Sequence, residues 1–538
     1  MMKKIFLFLI VLPFICFAQG EKKQDQNVEL PDFVITSTET VSVEKAKKIE
    51  PDFGSTISEE FLKPVFSAEQ LELRNFVNPI KDNISLKDSV QYKNGRFNVG
   101  IGSLYIPKAD ILVTTPFNGG IFEWFAMTDN RMAYVSNSDR YNLGGGLNLS
   151  LFTKNDSSFL PGTEIKFHGN YDLSSYKFYG SAVNSALRRT LNGGDVSLNI
   201  NNYLNDYFVF AASVENEFNS LKNENFSENF LQVKGYGKLI LSAFNLSCDI
   251  IFKEQFLTNN TVTASRNGFV GIAPKIGLDI SETFKIDFGM NYSQSVGNIF
   301  FTPFISAALK FNNYISFFGE YSPHADLIGA FSFLHQNPYI NSLTLCNAYV
   351  RYDNSIKLAV KYEYEKYFQI NGGFKILSST EMPYYKSSNV NGQNVSGKFD
   401  VAFDDASIYS AFCDMLFHIG PLGYFYSNVE FSSTNDTKGY SLPYVPVTSA
   451  SLIYGYNFSK IKLNSEIKLN YASGVYTDIP NLIKLKNNVD LGLKFAYRYK
   501  PMFIFTLEFS NLLFQDNYKW AAYKEILFNV AAGVSFIW

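Results

Sequence analysis

Hydrophobic and polar residues alternate with a period of two over most of the chain, from about Phe97 to Trp538. In the stretch 284–292 every even position is apolar and every odd position is polar or glycine. Similar rows run through 196–201, 356–363, 461–471 and 503–509. Because successive side chains of a strand point to opposite faces, each row predicts a strand with one apolar and one polar face.

A string of soluble β-sandwich domains would show the same alternation. Here, however, the strand pattern continues from residue 97 to residue 538 with no interdomain linker and no helical interruption. This continuity favours a barrel whose apolar face meets lipid and whose polar face lines a lumen.

Turn signals allow the strands to be counted. Longer polar stretches, such as Thr434–Pro446 and Ser378–Lys398, lie between short turns, which is the asymmetry of outer-membrane barrels. With both chain ends on the side of the short turns, the pattern predicts a single closed antiparallel all-β transmembrane barrel of about 22 strands, whose last strand near 525–538 pairs with the first near 97–105. The short turns are expected at 118–119, 155–156, 205–206, 244–245, 281–282, 312–313, 365–366, 420–421, 459–460 and 500–501.

The C-terminal residues strengthen this interpretation. Val534, Phe536 and Trp538 lie on one face of the last predicted strand. An aromatic, lipid-facing end resembles the signal read by the outer-membrane barrel assembly machinery, which we therefore expect as a partner during biogenesis. Outer-membrane lipid would surround the barrel, with aromatic residues near strand ends forming interfacial girdles. The residues expected there are Tyr314, Phe317, Tyr499, Tyr518 and Trp520.

The N-terminal residues predict export. Lys3 and Lys4 precede the apolar run Ile5–Phe17, which is typical of a signal peptide covering residues 1–18 with cleavage before Gln19. Residues 19–95 then form a periplasmic arm or a partial filler of the lumen, and residues 96–538 form the barrel. The expected location is the bacterial outer membrane.

Charge and composition exclude several other functions. The formal net charge is −3 with a pI near 6.0, and no basic block is present, so nucleic acid is not an expected partner. The four histidines are scattered, and no Ser–His or Asp–His pairing has diagnostic spacing. The cysteines beyond the signal peptide have no metal-binding spacing. We therefore predict no enzyme, no cofactor and no metal site.

Several motifs resemble those of TonB-dependent receptors. Residues 511–518 (NLLFQDNY), followed by 529–536, resemble the last hairpin of that family. Residues 442–446 and 471–476 are similar to further stretches of the same barrels, and 100–107 resembles the opening hairpin of plugless members. The resemblance implies a transport barrel and leaves the solute open.

The chain also departs from that family. TonB-dependent receptors carry a large N-terminal plug domain with a Gly-Arg-Gly signature, and only residues 19–95 precede the barrel here. The stretch Pro31, Asp32, Phe33, Val34, Ile35 and Thr36 resembles a TonB box, which would add a strand to a TonB-type energiser. Alternatively, it is a hydrophobic stretch in a flexible arm.

A 22-stranded barrel has a lumen wide enough to need a filler. Two parts of the chain could supply it: residues near 55–95 could enter the periplasmic mouth, or long loops such as Ser322–Asn354 could fold in. Three functions therefore remain open. They are a TonB-dependent-receptor-like transporter or channel, a passive porin, and a barrel subunit of an outer-membrane assembly or secretion complex with an accessory partner.

Overall fold

The computed structural model describes residues 94–153, 161–202, 207–241, 244–258, 265–295, 297–345, 348–364, 368–388, 396–418 and 423–538. The predicted signal peptide, residues 19–93 of the predicted arm and the TonB-box-like stretch Pro31–Thr36 lie outside these residues. Gly95, the last residue assigned to that arm, begins the first strand instead.

The described residues form 25 strands and little helix. The first twelve are β1 (Gly95–Gly102), β2 (Tyr105–Phe117), β3 (Gly120–Arg131), β4 (Arg140–Phe152), β5 (Thr163–Lys177), β6 (Arg188–Asn202), β7 (Phe208–Leu221), β8 (Phe226–Leu241), β9 (Phe244–Thr258), β10 (Ser265–Ser281), β11 (Phe284–Ser295) and β12 (Asn298–Lys310). The others are β13 (Ile315–Tyr321), β14 (His324–Ile328), β15 (Ala348–Tyr364), β16 (Phe368–Ser387), β17 (Phe399–His418), β18 (Tyr424–Asp436), β19 (Thr448–Phe458), β20 (Leu463–Ala472), β21 (Asn488–Lys500), β22 (Phe503–Ser510), β23 (Tyr518–Trp520), β24 (Tyr523–Lys524) and β25 (Asn529–Ile537). One helix, α1 (Ala330–Gln336), lies between β14 and β15.

The strands close into a single antiparallel barrel. The last strand, β25, pairs with β1 from Arg96↔Ile537 to Gly102↔Ala531, as the sequence predicted. The sheet contains 23 strands, and β23 and β24 form a separate hairpin. Both β13 and β14 pair with β15, one beyond the other, so together they occupy one position. The barrel therefore has 22 strands, and the predicted fold class is confirmed.

The predicted short turns at 118–119, 244–245, 281–282, 312–313, 459–460 and 500–501 fall at or within a few residues of the connection between two paired strands. Those at 155–156, 205–206, 365–366 and 420–421 lie outside the described residues. Between β2 and β3, for example, Gly119 has a φ of +89°, which glycine adopts without steric strain. The predicted long loop Ser378–Lys398 is wrong over its first half, because β16 continues to Ser387. A register shift between Ser379 and Met382 lets the strand pass this polar stretch without leaving the sheet.

The two faces of the sheet differ as the alternation predicts. On β11, Phe288 and Met290 are 43% and 48% exposed on the outer surface. On the opposite face, Asp287 accepts a hydrogen bond from Ser306 Oγ at 3.1 Å, and Lys285 pairs with Asp279 at 3.1 Å. Exposed apolar side chains occur on nearly every barrel strand, far more than a soluble protein leaves in water. The molecule is an outer-membrane barrel.

The predicted aromatic girdle is correct in part. Tyr314, Phe317 and Tyr499 are exposed on the outside. Trp520, in contrast, is only 6% exposed, because it belongs to β23 in the last long loop and packs among other aromatic rings. Tyr518 lies on the same small hairpin. No helix in the described part of the chain is long and apolar enough to cross a membrane.

Candidate functional site

The long connection between β13 and β15 folds into the barrel. We call residues 324–345, which contain β14 and α1, the inserted segment. Its apolar residues form one buried cluster with Leu221, Phe226 and Leu257 of β7–β9 and with Val401 of β17. Because these strands lie at separate positions around the closed sheet, the segment crosses the lumen. The alternative in which a loop within 322–354 folds in therefore holds for the described residues.

Pairing with β12 ends at Tyr321, just before Pro323. This residue lies between β13 and β14 and has no backbone N–H to donate to a neighbouring strand. Its carbonyl oxygen instead accepts hydrogen bonds from Asn291 Nδ2 at 2.8 Å and Thr302 Oγ1 at 2.6 Å, both on the inner face of the wall. Further along, Lys253 Nζ pairs with Asp326 at 2.6 Å. These polar contacts fix β14 against β9–β12.

A carboxylate of the wall caps the inserted helix. Gly329 at the N-cap of α1 has no side chain to receive the free N–H groups of the first turn. Glu228 of β8 supplies the acceptors: its carboxylate oxygens accept from Ala330 N at 2.8 Å and Phe331 N at 2.7 Å. Gln255 Nε2 also donates to this carboxylate. The negative charge therefore lies at the positive end of the helix dipole.

A buried arginine holds the loop after the helix. The Arg189 side chain is fully buried and binds Glu224 through Nε at 2.6 Å and Nη2 at 2.7 Å. Its Nη1 donates to the carbonyl oxygens of Pro338 at 2.9 Å and Ile340 at 2.7 Å. Burial alone would raise the pKa of Glu224, but the hydrogen bonds and charge of Arg189 outweigh it and hold that pKa below its usual value. The guanidinium thus joins the wall, a neighbouring loop and the inserted segment.

Aromatic residues from several loops close over the same region. Tyr339 of the inserted segment stacks on Tyr523 with ring centroids 3.5 Å apart, and Tyr179 meets Tyr523 edge-on at 4.9 Å. Phe399 and Trp520 complete this aromatic cluster. The Tyr523 hydroxyl donates to Gly397 O at 2.6 Å, so the loop before β17 is included. Burial raises the pKa of Tyr339 and of Tyr523, so both hydroxyls stay neutral and able to donate.

A cavity of about 660 Å³ remains between the inserted helix and the wall formed by β3–β7. At one end it is lined by Asp172, Asp195 and Glu217, and at the other by Arg131 and other cationic residues. His335 of α1 faces the acidic end; burial lowers its pKa, which the charge of Asp172 only partly offsets, so the imidazole is neutral near pH 7. One end of the cavity is therefore lined by carboxylates, whereas at the other the cations Arg131, Arg140 and Lys519 lie with Glu525.

The residues that build this site were not predicted individually. The available sequence signal was the stretch 330–334, in which four of the five residues are apolar, a composition that is unusual for a loop exposed to water. Arg189 and Glu224 lie 35 residues apart, and nothing in the sequence pairs them. The C-terminal residues Val534 and Phe536 lie in β25 beside β1 and β22, away from the lumen site, and Trp538 exchanges backbone hydrogen bonds with Gly95. Their role as an assembly signal remains a prediction.

The described residues contain no group of three or more His, Cys, Asp or Glu side chains placed to hold a metal ion. No protein-family model matches the chain, and no curated protein sequence matches it significantly.

Solved structures, in contrast, resemble it over most of its length. The FrpB iron transporter of Neisseria meningitidis superposes with a TM-score of 0.64 at 12% identity, covering 83% of this chain and 82% of that one. The ferric enterobactin receptor PfeA of Pseudomonas aeruginosa and the siderophore receptor PirA of Acinetobacter baumannii each give a TM-score of 0.62 at 9% identity, covering 82% of this chain and 80% of theirs. The chain has the barrel fold of TonB-dependent receptors. The resemblance inferred from the sequence motifs is thus confirmed for the fold. At these low identities the structural similarity does not identify the solute.

Proposed function

We propose that the protein is a gated outer-membrane transporter for a small solute, closed by the inserted segment in the state described here. The observation that carries this proposal is the attachment of that segment to the wall. A loop that only drifted into the lumen would not need the fully buried Arg189 or the helix cap from Glu228. A passive porin does not need a segment that is fixed across its lumen by such contacts.

Conductance of the purified full-length barrel in planar bilayers tests this proposal. The wild-type protein should rarely open, whereas replacing residues 330–345 by a Gly-Ser linker should give large, persistent channels. A matched control replaces residues 482–486, in the exposed loop between β20 and β21, by the same type of linker. Large stable channels in the wild-type protein would instead support the passive porin.

The proposal includes an energiser. The structural neighbours are a ferric enterobactin receptor, a siderophore receptor and an iron transporter, and their barrel fold is the one that the sequence resemblance associates with TonB-type energisers. The TonB-box-like residues Pro31–Thr36 would engage such a partner by adding a strand to it. Energy from the partner would serve to detach the inserted segment from Arg189 and Glu228.

Site-specific crosslinking in cells tests the energiser separately. A photoreactive residue placed at Val34 in the full-length protein should crosslink to the periplasmic part of a TonB-type protein. The same residue placed at Lys23 serves as the control. Equal crosslinking from both positions, or none from Val34, would remove the energiser and leave an accessory-subunit role as the better explanation of the arm.

A further inference from the structure

At one end of the lumen cavity the charged lining residues are all carboxylates. Asp195 of β6 lies directly opposite Glu217 of β7, and Asp172 of β5 lies opposite Gly193, two positions from Asp195 on the same face. The three carboxylates therefore form one patch across three neighbouring strands. Like charges placed opposite one another destabilise a sheet unless something between them compensates.

The structure contains little compensation at this acidic end. Asp172 and Glu217 form no ion pair with any residue that the structure describes. Asp195 contacts His168 at 3.4 Å and accepts a hydrogen bond from the neutral Asn170 amide. The lining cations lie elsewhere: Arg131, Arg140 and Lys519 all interact electrostatically with Glu525 at the other end of the cavity.

A second, independent feature lies beside the carboxylates. Asn219 of β7 lines the cavity and is only 3% exposed. Neither its amide nitrogen nor its amide oxygen has a hydrogen-bond partner among the described residues. Buried polar atoms are almost always paired, so an amide with both atoms unpaired beside a cavity is placed to bind a molecule that enters the cavity. A molecule that pairs with both atoms must offer at least one acceptor and one donor.

Because Gly193 has no side chain, the Asn219 amide has space beside it. A side chain there would begin 2.5 Å from the Asn219 amide oxygen and 3.4 Å from the ring of Phe331. The inserted helix and the Asn219 amide therefore both lie close to the backbone of Gly193, which no side chain covers. A molecule bound to Asn219 would lie directly beneath the helix that closes the lumen.

We propose that this cavity binds a short peptide, with its ammonium group among Asp172, Asp195 and Glu217 and its backbone on the Asn219 amide. An extended peptide presents the N–H and C=O of one residue on the same side, which matches the donor and acceptor of a single amide. The carboxylate end of the peptide would face Arg131. This inference rests on the proposed transport function, because it names the class of solute that the barrel admits.

Titration calorimetry and thermal unfolding of the purified full-length barrel provide the test. The probe is trialanine with free termini, compared with N-acetyl-trialanine, with glucosamine and with spermidine. Trialanine should bind and raise the unfolding temperature, and N-acetylation should weaken its binding at least tenfold by removing the cationic group. Equal binding of the acetylated peptide, or stronger binding of glucosamine or spermidine, would overturn the peptide assignment, as would no binding of trialanine.

Two variants and a control locate the site. Glu217→Gln should weaken trialanine binding about tenfold, and Glu215→Gln, on the same face of β7 but outside the cavity, should leave it unchanged. Asn219→Ala should abolish binding without lowering the unfolding temperature of the empty barrel, since it removes an unpaired buried amide. A drop in that temperature would instead assign Asn219 a purely structural role. Calorimetry and conductance test the two proposals separately. If trialanine binds but the barrel is not gated, only the proposed function is refuted. If the barrel is gated but trialanine does not bind, only the peptide site is refuted.

Discussion

Replacing Arg189 by alanine should open the barrel. The side chain makes two hydrogen bonds to the Glu224 carboxylate and two to carbonyl oxygens of the inserted segment. Alanine would remove all four of these hydrogen bonds. The two bonds from Nη1 are those that join Arg189 to the inserted segment, and a hydrogen bond from a charged donor contributes about 1.5–3 kcal/mol. Taking the lower figure for each bond, we expect the closed state to lose about 3 kcal/mol of stability relative to the open state.

At 1.4 kcal/mol per factor of ten, this loss would raise the ratio of open to closed molecules about a hundredfold. Single-channel recording of open probability in planar bilayers measures that ratio directly. Arg188→Ala is the matched control, because the neighbouring Arg188 pairs with Asp139 and not with the inserted segment. Barrel integrity is checked by the heat-modifiable shift on gels. If Arg189→Ala and Arg188→Ala barrels show the same open probability, the idea that this arginine holds the gate is refuted.

Three further predictions follow from other contacts. Glu228→Gln should weaken the helix cap by about 1 kcal/mol and speed hydrogen exchange at the Ala330 amide several-fold, and unchanged exchange would rule out a capping role. The ionised Glu224 carboxylate, held by Arg189 and by Ser342 of the inserted segment, stabilises the closed state fully above the usual carboxyl pKa of 4.5, and this contribution is lost as the pH falls through the lowered pKa. Open probability should therefore rise in acid, and it should respond less to acid in Glu224→Gln. Phe288→Arg should cost about 2–4 kcal/mol in lipid-bilayer unfolding titrations if that position lies at the midplane, whereas Arg at the lumen-facing Asn199 should cost much less.

The sequence predicted the barrel well because strand alternation and turn residues are local signals. Gly119, with its positive φ, lies where the sequence placed the first short turn, and the aromatic row ending at Trp538 lies on the strand that closes the sheet. The strand count depended on the same local signals, so errors in individual boundaries did not change it.

The contents of the lumen depended on contacts between residues far apart in the chain. Glu228 and Ala330 are separated by 102 residues, and no sequence signal indicates that they are in contact. Trp520 could equally have been an interfacial residue, since an aromatic side chain fits both the membrane boundary and a buried cluster. Only the tertiary structure decides between these environments.

The loss of pairing along one edge of β12, which begins just before Pro323, has a consequence for the surrounding lipid. Because β14 lies inside, residues 298–304 of β12 pair with β11 but with no described strand on their other side. Pro303 lies within this stretch. Because proline has no backbone N–H, the stretch contains one fewer donor that could be left unpaired. On that side β12 pairs only with β13 among the described strands, and the seven residues of β13 are fewer than the roughly 9–11 that a spanning strand needs.

Ile299 and Phe301 are 65% and 61% exposed beside this low section of the wall. Unpaired backbone is not tolerated in contact with acyl chains, so the hydrocarbon layer must become thinner here until head groups or water reach the edge of β12. The outer leaflet would therefore be indented on one side of the molecule, and lipids that tolerate such an indentation would collect there.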